Sequence, residues 1–343
     1  MSSATGFDLS TLVRDYGDIR AEACSCRSAS ALFDFSFMRR MVITGPRAQA
    51  MAQSLTPRPI GDMRPGRIRY ALSPDASGHV LGDITIWRLD AETFEVFAGT
   101  GEVFAELNSA AGSAACVRDL SEETAIFAVQ GPSSLRVLSD VADVARISAL
   151  PYFAHVEATI AGAACRVGRL GYTGERGFEI IAPREAAAAL WAMLSREALP
   201  AGFAAADILR IEAGFALFAN EFAFPVTAAE LGLARFAGEA RREQRVRLVA
   251  FTAECDGEPI LWRPSQETDF PPPPGRLVAT SACRSIVTGA VLGLGYANVS
   301  DAAAQLSDPA GQFRSIRNVA LPVYDPRKLR PRGGWSADLF PIA

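Results

Sequence analysis

The stretch R-V-G-R-L-G-Y-T-G-E-R-G-F-E-I-I, from Arg166 to Ile181, decides how the rest of the chain is read. Cys165, Val167, Leu170 and Tyr172 form a loosely alternating apolar strand, and Phe178 to Ile181 begin a return strand. Thr173 to Gly177 reads as the turn between them, because glycine reaches positive φ at no steric cost. The hairpin seats Glu179 in a strand between apolar neighbours, a costly place for a carboxylate unless it lies on an exposed edge or has a partner. Downstream, Pro183 stands at a first helical position. Arg184 to Leu199 predicts a helix with Ala187, Leu190, Trp191 and Leu194 on one face. The region closes with A-A-D-I-L-R-I-E-A-G-F-A-L-F-A-N-E, Ala205 to Glu221, a second helix near Ala205 to Ala213 stopped by Gly214. Asp207 reads as ordinary surface charge on that helix.

Composition narrows the class. The chain has 343 residues, enough for more than one packed unit, with 49% apolar and 21% charged residues, as in soluble globular proteins. A net charge of −4 advertises no nucleic-acid surface. No apolar run is long enough for a membrane span, and Met1 to Asp18 lack the apolar core of a signal peptide, so a cytoplasmic location is expected. The cysteines Cys24, Cys26, Cys116, Cys165, Cys255 and Cys283 are scattered and read as free thiols, with no metal site. With only His79 and His155 available, zinc sites and Ser-His-Asp triads have little to draw on. Gly99-Thr100-Gly101 lacks the third glycine of a dinucleotide fingerprint, and no P-loop exists.

Outward from the central stretch, Leu9 to Arg27 reads as a helix and its approach. Met41 to Leu55 and Ala125 to Val141 share one plan, strand, Gly-Pro, helix, which points to repeated βα units in an α+β fold. The Gly-Pro steps read as tight turns, with a ligand loop as the alternative. Strands are predicted at Arg67–Leu72, His79–Leu89 and Thr93–Ala98, and a helix at Glu102–Ala111. Asp83 interrupts the second of these strands, where Asp is depleted. It is either an edge-strand gatekeeper or a functional carboxylate. Gly238 to Arg247 is a charged surface segment. Leu248–Ala253 and Leu277–Val299 read as strands, and Pro264 to Gly275 as an exposed proline-rich loop. The tail from Arg327 is expected on the surface.

G-Y-T-G-E-R-G-F-E-I followed by L-R-I-E-A-G-F-A-L-F resembles the signature of the aminomethyltransferase family, the T-protein of the glycine cleavage system and its folate-dependent demethylase relatives. Further matches are the Phe33-Asp34-x-Ser36 segment after Arg27, Leu81-Gly82-Asp83-Ile84, A-T-S-A-C-R after Val278, and L-P-V-Y-D-P from Leu321. The resemblance implies an α+β fold, a three-domain cloverleaf around a central folate cavity. Its parts are a discontinuous central domain (1–40 and 125–236), a second α+β domain (41–124) and a C-terminal β-barrel (245–343). It implies tetrahydrofolate as cofactor and Asp83 as the catalytic carboxylate. Glu179, Tyr172, Tyr70, Gly99 and Arg210 fall at cofactor-binding positions. One carboxylate can accept the adjacent N–H and NH₂ of a pterin edge together, which suits Glu179. Tyr172 can offer its aromatic face or its hydroxyl. Arg210 and Glu212 also admit a structural reading, fixing their helix to its neighbours.

The chain departs from that pattern where the family has an asparagine (here Gly99), an arginine (Ala206) and a histidine (Phe37), and in a shortened N-terminal wall. These changes point to a tetrahydrofolate-dependent one-carbon transferase acting on a small N-, O- or S-methyl donor, and away from a lipoyl carrier protein. The alternatives are a divergent aminomethyltransferase and a folate-binding scaffold without transfer.

Overall fold

A computed structural model describes residues 8–105, 107, 116–238, 244–264, 269–301 and 306–335. Half of the helix expected at Glu102–Ala111, and parts of the segments 238–247 and 264–275, lie outside the described residues, as does the tail beyond residue 335.

The strands are β1 (Ala31–Asp34), β2 (Arg39–Thr44), β3 (Arg67–Pro74), β4 (Val80–Arg88), β5 (Thr93–Ala98), β6 (Cys116–Asp119), β7 (Thr124–Gln130), β8 (His155–Ile160), β9 (Ala163–Gly168), β10 (Gly177–Pro183), β11 (Leu199–Pro200), β12 (Val246–Glu254), β13 (Leu277–Arg284), β14 (Val291–Asn298) and β15 (Arg314–Val319). They form a six-stranded sheet in the order β11-β1-β7-β10-β9-β8, a five-stranded sheet β3-β4-β5-β2-β6 and a four-stranded sheet β13-β14-β12-β15. Every pairing between these strands is antiparallel except the short one between β1 and β11. The fold is therefore α+β, as expected. The C-terminal strands were expected to close a barrel; among the described residues they make an open sheet edged by β13 and β15. No helix among the described residues is long and apolar enough to cross a membrane.

Local sequence explains the elements. Asp18 caps the first α-helix, Ile19–Ser28, accepting from the backbone N–H of Arg20 and Ala21, so the residues from Leu9 to Asp18 form its approach. Gly45 and Gly131 sit at φ 106° and 128° in the two strand-to-helix steps. Neither lines the main cavity, so both serve as tight turns. The helix predicted to run to Leu199 spans only Ala187–Leu194, because Leu199 and Pro200 leave it to pair with β1.

Alternation then places the cavity. In β4 and β5, Ile84, Ile86, Val96 and Ala98 turn to the core under the helix Ala48–Ser54. The opposite face carries Asp83, Thr85, Trp87 and Phe97. On that face the five-stranded sheet meets the six-stranded one. The Trp87 ring fills the space over Gly168, where a Cβ would lie 2.1 Å from it, and stacks on His155 with ring centroids 5.3 Å apart. Glu95 of β5 ties the same seam, bonding Arg40 of β2 at 2.5 Å and Arg166 of β9 at 2.6 Å.

The described part of the tail keeps Arg327, Leu329 and Arg332 at the surface, and it crosses back over the hairpin loop. The Tyr324 hydroxyl donates to Glu175, and Arg27 lies 3.6 Å over the Tyr324 ring. Arg169 and Arg176 donate to the carbonyls of Gly333 and Gly334, and Trp335 stacks on Phe178 at 4.8 Å. The cause is the connection between β9 and β10, where Thr173, Glu175 and Arg176 are all buried. Buried charges need partners, and the tail supplies them. The turn expected at Thr173–Gly177 is thus a packed loop.

Candidate functional site

A cavity of about 850 Å³ opens where these parts converge. Asp83 and Tyr70 enter it from β4 and β3, Gly99 from the end of β5, Tyr172 from the loop after β9, and Glu179 from β10. The structure thus gathers five of the six sequence-expected site residues around one space.

Asp83 sits on β4, with β3 and β5 on either side, so it is not an edge-strand gatekeeper. The register pairs Tyr70 with Thr85, which makes Tyr70 a diagonal neighbour of Asp83 on the same face. The Tyr70 hydroxyl donates to the Asp83 carboxylate. Burial pushes the Asp83 carboxyl up to about 6, against the opposing effect of its backbone and Tyr70 hydrogen bonds. Its residual exposure is to the enclosed cavity.

Glu179 occupies an inner strand, paired across to Ala128 of β7 and Gly168 of β9. Its neighbours Phe178 and Ile180 face the other core, so alternation forces the carboxylate toward the cavity. Burial alone pushes it up to about 7, with no hydrogen bond or charge among the described residues to offset it. A linkage prediction follows. The folded value lies above the ordinary 4.5, so the folded state holds the extra proton and loses stability as pH rises from about 4.5 through about 7. Glu179→Gln should raise the ligand-free melting temperature at pH 8, by up to about 3 kcal/mol of stability, and leave it unchanged at pH 4. Thermal melts at the two pH values read this directly.

Tyr172 resolves the choice between face and hydroxyl. Its hydroxyl donates to the Ala216 carbonyl at 2.7 Å, and its ring lies nearly parallel to Phe215. The ring is what remains for a ligand.

Arg210 is the sixth residue, and it does not line the cavity. It is fully buried in the helix Phe203–Glu212. Its guanidinium donates to Asp207 at 2.9 Å, Glu221 at 3.0 Å, the Phe215 carbonyl at 3.0 Å and Ser281 at 2.6 Å. Asp207, expected at the surface, is 3% exposed for the same reason. Glu212 is likewise buried, accepting from Arg27 at 2.9 Å and Ser285 at 2.7 Å. Arg210 and Glu221 together hold the loop Ala213–Phe218 against the cavity, since Leu217 N–H also donates to Glu221 at 2.7 Å. Arg210→Ala should therefore cost about 3–5 kcal/mol of stability in urea unfolding, by stranding two carboxylates. Near-normal stability with weakened ligand binding would return Arg210 to the ligand site.

Of the departures, Gly99 and Phe37 line the cavity, while Ala206 is buried in the core beneath it. Phe37 packs edge-on against Phe35 and Phe203 at 6.0 and 5.9 Å. Residues the sequence reading missed include Phe215 and Phe218 from the loop, and Tyr324, Lys328 and Arg332 from the tail. No local pattern marks them, because each reaches the cavity through a distant contact.

The cavity combines aromatic walls with the separate carboxylates of Asp83 and Glu179, the mix of apolar lining and few polar groups that small-molecule pockets show. The comparisons agree. The family model for the GCVT N-terminal domain matches residues 10–240. An aminomethyltransferase of Streptomyces coelicolor is 33% identical over 287 residues, covering 81% of this chain and 76% of that protein. One from Streptomyces avermitilis is 31% identical over 340 residues, covering 91% of each. The structure of the glycine cleavage system aminomethyltransferase T from Bartonella henselae superposes with a TM-score of 0.76, 23% identity and 94% coverage of both chains, a likeness of fold. The chain belongs to the GCVT aminomethyltransferase family. It is a transferase of one-carbon units with tetrahydrofolate as cosubstrate.

Proposed function

We propose that this transferase exchanges a methyl group between a small, free N-, O- or S-methyl donor and tetrahydrofolate. The supporting observation is that Phe37 and the bare Gly99 both line the cavity and contribute no hydrogen-bonding side chain to it. Tetrahydrofolate, when bound, supplies the nitrogen that carries the one-carbon unit.

The chain's own residues fit that cosubstrate. Glu179 has a buried carboxylate with no hydrogen-bond partner among the described residues, which suits a pterin edge presenting adjacent N–H and NH₂ groups. The exchange of a lone buried charge for a bidentate hydrogen bond makes recognition selective. Tyr172 and Tyr70 line the cavity with aromatic surface, and Tyr70 orients Asp83. Ionised Asp83 stabilises positive charge that develops as the one-carbon unit moves. At neutral pH it is largely ionised, since its carboxyl lies at about 6.

A divergent aminomethyltransferase is the second reading, favoured by sequence similarity to aminomethyltransferases that extends over 91% of the chain. Incubation with lipoylated carrier protein, ammonia and methylenetetrahydrofolate separates the two. Robust aminomethyl transfer to the carrier supports the second reading. Failure there, with methyl transfer from a free donor to tetrahydrofolate, supports the first.

A further inference from the structure

Gly99 and Phe218 are locked together. The register of β4 and β5 pairs Ile84 with Ala98, so the next step sets Gly99 across from Asp83. Residues opposite one another in an antiparallel pair project to the same face, with Cβ atoms about 5 Å apart. A side chain at position 99 would therefore stand beside the Asp83 carboxylate. The chain puts none there. Instead, Phe218 fills the slot from the other side. A Cβ on Gly99 would lie 2.2 Å from two carbons of the Phe218 ring, far inside van der Waals contact.

Phe218 is held firmly in that slot. The preceding Leu217 is tied to Glu221, the Ala216 carbonyl to Tyr172 and the Phe215 carbonyl to Arg210. The ring itself packs against the apolar cluster that contains Leu72, Val80 and Val226. Two segments far apart in sequence have thus exchanged volume, a missing side chain on one and a ring on the other.

We infer that Phe218 is a specificity-determining residue, whose ring sets the size and polarity of the space beside Asp83 and restricts it to one-carbon units of methyl size without a hydrogen-bonding oxygen. This rests on the reading that reduced folate binds with its one-carbon position near Asp83. A ring edge contributes no donor for a carbonyl oxygen and resists compression, whereas a methyl group packs against it. Differences of one small group in an apolar pocket are worth about 10- to 200-fold. The polar groups facing Asp83 are the hydroxyls of Tyr70, from β3, and Tyr172, from the loop after β9; Phe218 leaves both in place.

Calorimetric titration of the ligand-free protein with tetrahydrofolate, 5-methyltetrahydrofolate and 5-formyltetrahydrofolate tests this. Wild type should bind the methyl form at least about tenfold more tightly than the formyl form. Phe218→Ala should collapse that ratio toward one. Phe218→Leu, which keeps apolar bulk, should fall between and covers the case in which the alanine variant does not fold. Gly99→Ala alone should weaken binding of all three ligands about tenfold or more, yet cost little in the Phe218→Ala background, a coupling that independent sites do not show. If wild type binds tetrahydrofolate and the methyl-to-formyl ratio is the same in the Phe218 variants, the inference is wrong and the functional reading stands. If wild type binds no reduced folate, both fall.

Discussion

Asp83→Asn should lower turnover by about 100-fold or more while changing tetrahydrofolate affinity by less than about threefold. The amide keeps the shape of the carboxyl and can still accept the Tyr70 hydroxyl bond, so the cavity should hold its form. What it loses is charge. In a cavity lined with aromatic rings that charge acts at lower effective dielectric than in water, where it is worth more. The pH profile supplies an independent check. The carboxyl titrates at about 6, so the active, ionised form prevails above that pH. Wild-type kcat should fall as pH drops through about 6, and the asparagine variant should lack that limb. Steady-state rates from pH 5 to 8, with whichever donor supports wild-type turnover, measure both effects. An asparagine variant that turns over normally would remove Asp83 from the chemistry.

Glu179→Ala should weaken tetrahydrofolate binding by roughly 30- to 1,000-fold, or about 2–4 kcal/mol. The size of the effect comes from what surrounds the carboxylate. It lies on an inner strand, 8% exposed, with burial alone acting on it. A ligand that donates two hydrogen bonds to it repairs an existing deficit, and a ligand facing alanine finds its own donors stranded. The sign of the pH effect is also set. Binding to the ionised form competes with protonation, so wild-type affinity should decline as pH falls below about 7. The alanine variant should be flat over the same range. Titrations at pH 6 and 8 distinguish the cases, and equal affinities for wild type and variant would remove Glu179 from the pterin site.

The strands and the placement of both carboxylates were legible in the sequence, because β alternation is a local property. Phe178, Glu179 and Ile180 must point to alternate faces in any sheet that includes them, and Asp83 must share a face with Thr85. A charge in such a strand is costly unless it lies on an edge or has a partner, so neighbouring residues marked these positions as candidates and the family resemblance chose between the readings. The helix Phe203–Glu212 shows where this reasoning stops. Asp207 and Arg210 look like surface charges in one dimension, and helical spacing can pair them with each other. Nothing nearby announces that Glu221 and Ser281 complete the network and take all of it out of solvent.

The sequence by itself determined the class of the fold, the family, and a carboxylate within each of two strands; the sheet order decided that both strands are inner ones. Tertiary structure alone decided that Arg210 braces a loop instead of touching the cavity, and that the tail returns to satisfy Glu175, Arg169 and Arg176. It also decided that the space left by Gly99 is filled by Phe218. The physical reason is the range of the interactions. Alternation and capping act over a few residues and leave a periodic trace, whereas the partner of a buried charge, or the ring that fills a missing side chain's place, is fixed by packing between segments that the sequence keeps far apart.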